Sequence, residues 1–444
     1  MPQIEKAETL RGMLRAFQTE PLNESEFSKF YYDNTMPIRT GNPDASPLED
    51  LFEECTTPLA KNAHLLMGHG GCGKSTELFQ LKQRLERAGQ PAYIIDFMAE
   101  TDFQNANQWD IMLLITEGLC QIVERYGLRV PNRTLQAVLD YIKKKVVIET
   151  VSGTSAGFEL EGGVEASTPG FLKGFLKAFA SFKSEVKANA SSRATITETM
   201  DKRASEWIAH IKEISDRIMT SLPGKQPVLI IENIDKIQPP EKALDILRYT
   251  YLSDMPFPII YTFPISLYYD HRFAWIENNY KPHTLPMIKV ANADKSDHQG
   301  GIEAIREIVK LRADGALFAE DALTHLIKQT GGVLRDLFRC IISAARLANR
   351  REAMRIEERD ANRALSDLRD ELSRRVTMDD NDKLVNIYKD PKFREQIEDL
   401  RFLLEKMQAL VVLEYRNGER WHNLHPMVAE FLKKQGVIEN DDGR

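Results

Sequence analysis

Gly68-His-Gly-Gly-Cys-Gly73-Lys74-Ser75 satisfies GxxxxGK[ST] at every required position, and these residue types in this order point to the cradling of a phosphate chain. The glycines let backbone N–H groups converge on an anion, and a helix starting at the loop adds the positive end of its dipole. Lys74 is expected to reach β- and γ-phosphate oxygens, and the Ser75 hydroxyl to bind Mg²⁺. Gly68, Gly70, Gly71, Cys72, Gly73, Lys74, Ser75 and Thr76 are the expected nucleotide contacts. A glycine-rich turn of purely structural use is the weaker alternative. Lys74 reads as serving a surface cleft, so Lys74→Ala is expected to abolish tight ATP binding and leave the fold intact. Cys72 reads as an inert small residue, with blockage of the loop by alkylation as the other reading.

Such a loop needs an acidic partner at the end of a neighbouring strand. Val228-Leu-Ile-Ile-Glu232-Asn233-Ile234-Asp235 supplies one: four apolar residues place Glu232 at a carboxyl edge, where ligands of open α/β sheets bind. Glu232 is the expected second metal residue, against a structural surface acid. Asn233 cannot accept a proton, and Asp235 is the candidate substitute for orienting water. Thr262 closes the run Ile259-Ile-Tyr-Thr262 and is read either as a γ-phosphate sensor or as a capping hydroxyl. Arg335, in Gly331-Gly-Val-Leu-Arg335-Asp-Leu, starts a helix after a glycine break and is read as reaching back to the nucleotide, or else as part of a surface salt bridge. The expected catalytic set is Lys74, Glu232, Asp235, Thr262 and Arg335. Arg272, Arg306 and Arg312 are weaker candidates for fingers acting in trans. No [NT]KxD guanine-reading motif follows the strands, which favours ATP over GTP.

The pattern around these residues reads as strand, loop, helix, strand. His64–Met67 is a short apolar run, Leu78, Leu81 and Leu85 recur at helical spacing, and Ala92–Phe97 is a continuous apolar run of the parallel-sheet kind. Further strands are expected at Val228–Ile231, Pro258–Thr262 and Leu285–Val290, followed by successive helices from Gly300 to Arg375. Asn417-Gly418 between apolar runs predicts a hairpin near the carboxyl end, closed by a final short helix. Between the second and third strands lies a long insertion, 149–200. It carries an expected hairpin at Phe158–Ala166 and a helix with Phe171, Phe175, Phe179 and Phe182 on one face among Lys173, Lys177, Lys183 and Lys187. That face reads as packed within the protein, or alternatively as a membrane- or partner-binding surface.

Length, 444 residues, allows several domains, and 42% hydrophobic with 28% charged residues is the balance of a folded soluble chain. A net charge of −7 gives no global cationic field for nucleic acid. The four scattered cysteines form no CxxC pair, which argues against a zinc ribbon or disulfide scaffold and fits a reducing compartment. With no apolar signal core in MPQIEKAETLRG and no ~20-residue apolar run, the expected location is cytoplasmic.

Taken together, GHGGCGKS, LIIENID, IIYT and GGVLRDL resemble Walker A, Walker B, sensor 1 and sensor 2 of the AAA+ and STAND superfamilies of P-loop ATPases, and within them the origin-recognition type. The likeness covers roughly residues 48–440. It implies an α/β fold, a P-loop NTPase three-layer parallel sheet, followed by an all-α lid and a C-terminal winged-helix-like domain. The expected division is 1–47 as an N-terminal lead-in, 48–298 as the core, 299–376 as the lid and 377–444 as the winged-helix-like unit. Glu-Asn replaces the usual Asp-Glu pair, so slow hydrolysis is expected. The leading expectation is an ATP- and Mg²⁺-dependent switch controlling self-assembly or a protein partner. A DNA-binding initiator using the winged helix is weakly supported, with Arg416, Arg420, Lys433 and Lys434 as its cations, and a membrane-associated scaffold using 171–187 is the third reading.

Overall fold

A computed structural model describes residues 4–57, 61–102, 104–141, 169–188, 204–390 and 400–439. The hairpin expected at 158–166 and most of the 149–200 insertion lie outside them.

Five strands, β1 (Ala63–Gly68), β2 (Ala92–Asp96), β3 (Val228–Glu232), β4 (Ile259–Pro264) and β5 (Lys281–Thr284), form one sheet in the order β2-β3-β4-β1-β5, and every pairing is parallel. The continuous apolar runs follow from burial on both faces. Leu66, Val228, Ile230 and Ile260 pack into one core with helices Pro47–Thr56 and Lys74–Arg87. Their neighbours Leu65, Met67, Leu229, Ile231 and Tyr261 pack into the other, with helices Gln108–Arg125 and Ala204–Ser221. Because side chains alternate across a strand, one uninterrupted run must serve two cores.

The fifth strand corrects the sequence expectation. It is Lys281–Thr284, not Leu285–Val290. Leu285 still donates its N–H to Met67 O at 2.8 Å, but Pro286 has no N–H to continue the ladder. The chain instead passes beneath the lid, where a Cβ on Gly332 would lie 1.9 Å from Ile288 O. Only glycine permits that approach, and the Gly331-Gly332 break thereby seats the next helix against the core.

Helices Gln299–Arg312, Glu320–Gln329, Leu334–Arg350 and Glu358–Ser373 form the all-α lid. Beyond them, helices Asn381–Lys389 and Leu400–Gln408 lead to an antiparallel hairpin of β6 (Val412–Asn417) and β7 (Glu419–Leu424), turning at Gly418 as expected, and to helix Pro426–Lys434. Tyr415 and Trp421 stack across the pair at 4.6 Å. The insertion helix Pro169–Ala188 buries Phe171, Phe175 and Phe179 in the main core, and Lys183 pairs with Glu100 and Glu117. The described part of its apolar face is therefore internal, as the packed reading expects. Among the described residues no helix is long and apolar enough to cross a membrane.

Residues 4–40 contact both the lid and the core. Helix Leu10–Ala16 packs on lid helix Leu334–Arg350, and Ala7 exchanges backbone hydrogen bonds of 2.8 Å with Arg312 O and Asp314 N. The same segment then returns to the core at Arg39.

Candidate functional site

β1 ends at Gly68, and the loop turns through Gly71 (φ 84°) and Gly73 (φ 104°) before helix Lys74–Arg87 begins. These are left-handed backbone conformations in which a Cβ is strained, which accounts for glycine at both positions. The loop, together with Ser75, Thr76, Glu232, Asn233, Asp235 and Arg335, lines a cleft of about 380 Å³ at the carboxyl edge of the sheet. Cys72 is buried in the same core as Leu78 and Leu285, which leaves its sulfur a packing role.

Lys74 is buried, and this corrects the expectation of a purely surface charge. Its Nζ lies 2.9 Å from Asp235 Oδ2 and donates to Gly68 O at 2.7 Å and His69 O at 3.1 Å. Burial opposes the charge of both partners, yet the attraction between them outweighs it: the Lys74 pKa lies above its ordinary value and the Asp235 pKa below. Asp235 is thus committed to Lys74 here, which makes it a poor substitute for the missing water-orienting carboxylate.

Glu232 stands at the end of β3, beside Asp96 across the ladder. Burial, reinforced by the negative charge of Asp235, pushes its carboxyl up to about 7. Its Oε1 is buried without a hydrogen-bond partner. A hard oxygen without a donor, facing a cleft, fits a magnesium ion or its water shell. Asn233 follows in the left-handed region at φ 70°, a conformation that asparagine tolerates far better than glutamate.

Thr262 corrects the sensor expectation. It lies inside β4, fully buried and away from the cleft lining. Its Oγ1 accepts the Ile234 N–H at 3.1 Å, and its hydroxyl helps hold the Asp235 pKa down. It is a positioning residue for the acidic turn. Arg335, in contrast, stands where the glycine break aims it. Its backbone N–H donates to Gly71 O at 3.3 Å, and its guanidinium lies over Gly70.

Two contacts escape sequence reasoning because their partners lie far apart along the chain. Arg39, 1% exposed, donates to Cys72 O at 2.9 Å and Pro286 O at 2.7 Å, so the amino-terminal segment grips the loop. His69 Nε2 accepts the N–H of Glu414, in β6, at 2.8 Å. Burial holds that imidazole neutral, down to about 4, which keeps the nitrogen able to accept. Glu414 itself is surrounded by Tyr269, His422 and Arg420. Phe30, Tyr31 and Tyr32 also line the cleft; their clustering is the available signal. Of the arginines considered for action in trans, Arg312 lines the same cleft in cis, stacked on Phe338 at 4.6 Å. Arg272 is paired with Asp270, and Arg306 with Glu303 and Glu320.

Arg39→Ala is expected to destabilise the protein by about 2 kcal/mol, because two buried carbonyls lose charged donors. Chemical denaturation checks it, and an unchanged midpoint would show that the amino-terminal grip is incidental.

The strand order, the glycine loop after β1 and the acidic end of β3 make this a P-loop α/β fold carrying a helical lid. No family model matches the chain, and no curated protein does. Among solved structures it is similar to the Walker-type ATPase PABY2304 of Pyrococcus abyssi, at 12% identity and TM-score 0.43 over 94% of this chain and 99% of that one. It is also similar to the ORC1 protein of Aeropyrum pernix in complex with DNA, at 13% identity and TM-score 0.38 over 91% and 97%. A third similar structure is a RuvB mutant of Thermotoga maritima, at 11% identity and TM-score 0.37 over 99% and 100%.

Proposed function

We propose that the chain binds ATP with Mg²⁺ in this cleft and works as a slowly hydrolysing switch whose state is passed to a protein partner or to a second copy. One observation carries the reading: a single phosphate-type loop is hydrogen-bonded from three other parts of the chain. Arg39 holds Cys72 O, the Arg335 amide meets Gly71 O, and the Glu414 amide meets His69. A phosphate entering the loop must draw Lys74 away from Asp235 and reorient the loop amides, and each of the three grips senses that change. Ser75 and Glu232 are the residues that would hold Mg²⁺, which supplies neutralisation of the phosphate charge. A ligand biases such an equilibrium only as far as it favours one arrangement over the other.

The hairpin supports a role within the protein more than one on DNA. The Gly418 amide donates to Thr40 O at 3.2 Å, Lys289 Nζ to Arg416 O at 2.7 Å, and Arg420 lies over Tyr268 at 4.6 Å. Its tip and Arg420 are thus turned onto the core.

Calorimetric titration with ATP–Mg²⁺, paired with hydrogen exchange at the Glu414 amide, tests the switch. Saturable binding together with altered protection at that amide is expected. Binding without any change in protection would reduce the chain to a passive nucleotide holder. Turnover should rise in Asn233→Asp, which restores a carboxylate and accepts the left-handed backbone; single-turnover hydrolysis measures it, and a rate equal to the parent's would locate the limitation elsewhere.

A further inference from the structure

At the other end of β1, away from the loop, three metal-ligating side chains meet. Helix Pro47–Thr56 lays Glu54 over the edge of the sheet. The parallel register sets His64 beside Lys281 and Leu66 beside His283, so both imidazoles stand on one face of neighbouring strands, with ring centroids 5.5 Å apart. Glu54 Oε2 lies 3.1 Å from His64 Nδ1 and 3.2 Å from His283 Nε2. All three atoms are buried, and among the described residues they have no polar partner outside the cluster. A carboxylate accepting from both imidazoles would give such distances.

The spacing has another explanation. Donors held at about 2.0–2.1 Å by a tetrahedral zinc-type ion stand roughly 3.3 Å from one another. The second carboxylate oxygen is already taken: Lys281 Nζ donates to Glu54 Oε1 at 3.2 Å, which leaves Oε2 facing the imidazoles. The three donor groups all lie within 4.8 Å of one another. We propose that Glu54 Oε2, His64 Nδ1 and His283 Nε2 form a site for one divalent transition-metal ion, with water as the fourth ligand on the partly exposed Glu54 side. Two imidazoles and one carboxylate select zinc, cobalt or nickel over magnesium, so this site is chemically distinct from the nucleotide cleft. Its ion pins helix Pro47–Thr56 to β1 and β5, near the start of the strand that ends at Gly68, and serves the framework that presents the loop.

The test uses the full chain, stripped with a chelator and titrated with Co²⁺, whose visible absorption reports tetrahedral coordination. One equivalent of an intense visible band is expected, displaced by Zn²⁺ and insensitive to saturating Mg²⁺. Glu54→Gln preserves shape and exposure, and His283→Asn removes one imidazole; each is expected to weaken Co²⁺ binding about a hundredfold or more, as loss of a ligand exceeds the usual effect of losing a group behind one. Zn²⁺ should also raise the melting temperature of the parent and leave that of Glu54→Gln unmoved. Absence of a stoichiometric band, a band abolished by Mg²⁺, or a band unchanged in both variants would overturn the assignment.

Discussion

Lys74→Ala is expected to destabilise the nucleotide-free protein by about 3–5 kcal/mol, because it strands the buried Asp235 carboxylate without its counter-charge. The Asp235 carboxylate lies 2.9 Å from the ammonium, and both side chains are largely shielded from water. The loss should be largely reversed in Lys74→Ala/Asp235→Asn, where neither charge is present. ATP affinity, by contrast, should stay abolished in the double variant, since the ammonium proposed to meet the phosphates is gone in both. Urea denaturation of the parent, both single variants and the double variant gives the coupling directly. Additive single effects would mean that the ion pair contributes nothing to the fold. Restored ATP binding in the double variant would mean that Lys74 is not the phosphate residue.

Glu232→Gln should stabilise the nucleotide-free protein at pH 8 and do little at pH 4. The folded carboxyl titrates near 7 and the unfolded one near 4.5, so the folded state favours the protonated form. The resulting penalty on the parent begins as pH rises through 4.5, grows until about 7 and is constant above that. At pH 8 the variant should exceed the parent by about 3 kcal/mol. Stability rises while function falls: Mg²⁺-dependent nucleotide binding should weaken, because the neutral amide is a poorer partner for a divalent cation. A variant no more stable than the parent at pH 8 would show that Glu232 is not held in a strained, ionisation-resistant state. The pairing of these two outcomes distinguishes a cleft acid kept ready for a cation from a surface acid.

The parts of the fold legible in the sequence are those set by short-range periodicity. The apolar runs at Ala92 and Val228, the glycine loop and the Asn417-Gly418 turn announce themselves because strand burial, phosphate cradling and tight reversal each demand particular residues at particular spacings. The boundary at β5 is not legible in this way, because Leu285–Val290 is as apolar as a strand; Pro286 and the close passage beneath Gly332 turn that run into lid-facing chain. Thr262 has the sequence position of a strand end, whereas β4 continues to Pro264 and buries it.

Residue type and spacing alone thus picked out the glycine loop, the acid at the end of β3 and the arginine after the glycine break, which the structure brings to one cleft, because these are local patterns with few chemical uses. Which distant groups hold that loop was decided only by tertiary packing. The Arg39 and Glu414 contacts, the commitment of Asp235 to Lys74, and the meeting of Glu54, His64 and His283 join segments whose separation along the chain carries no periodic trace. Hydrogen bonds and ion pairs of this kind form only after the sheet and helices have brought their backbones within reach.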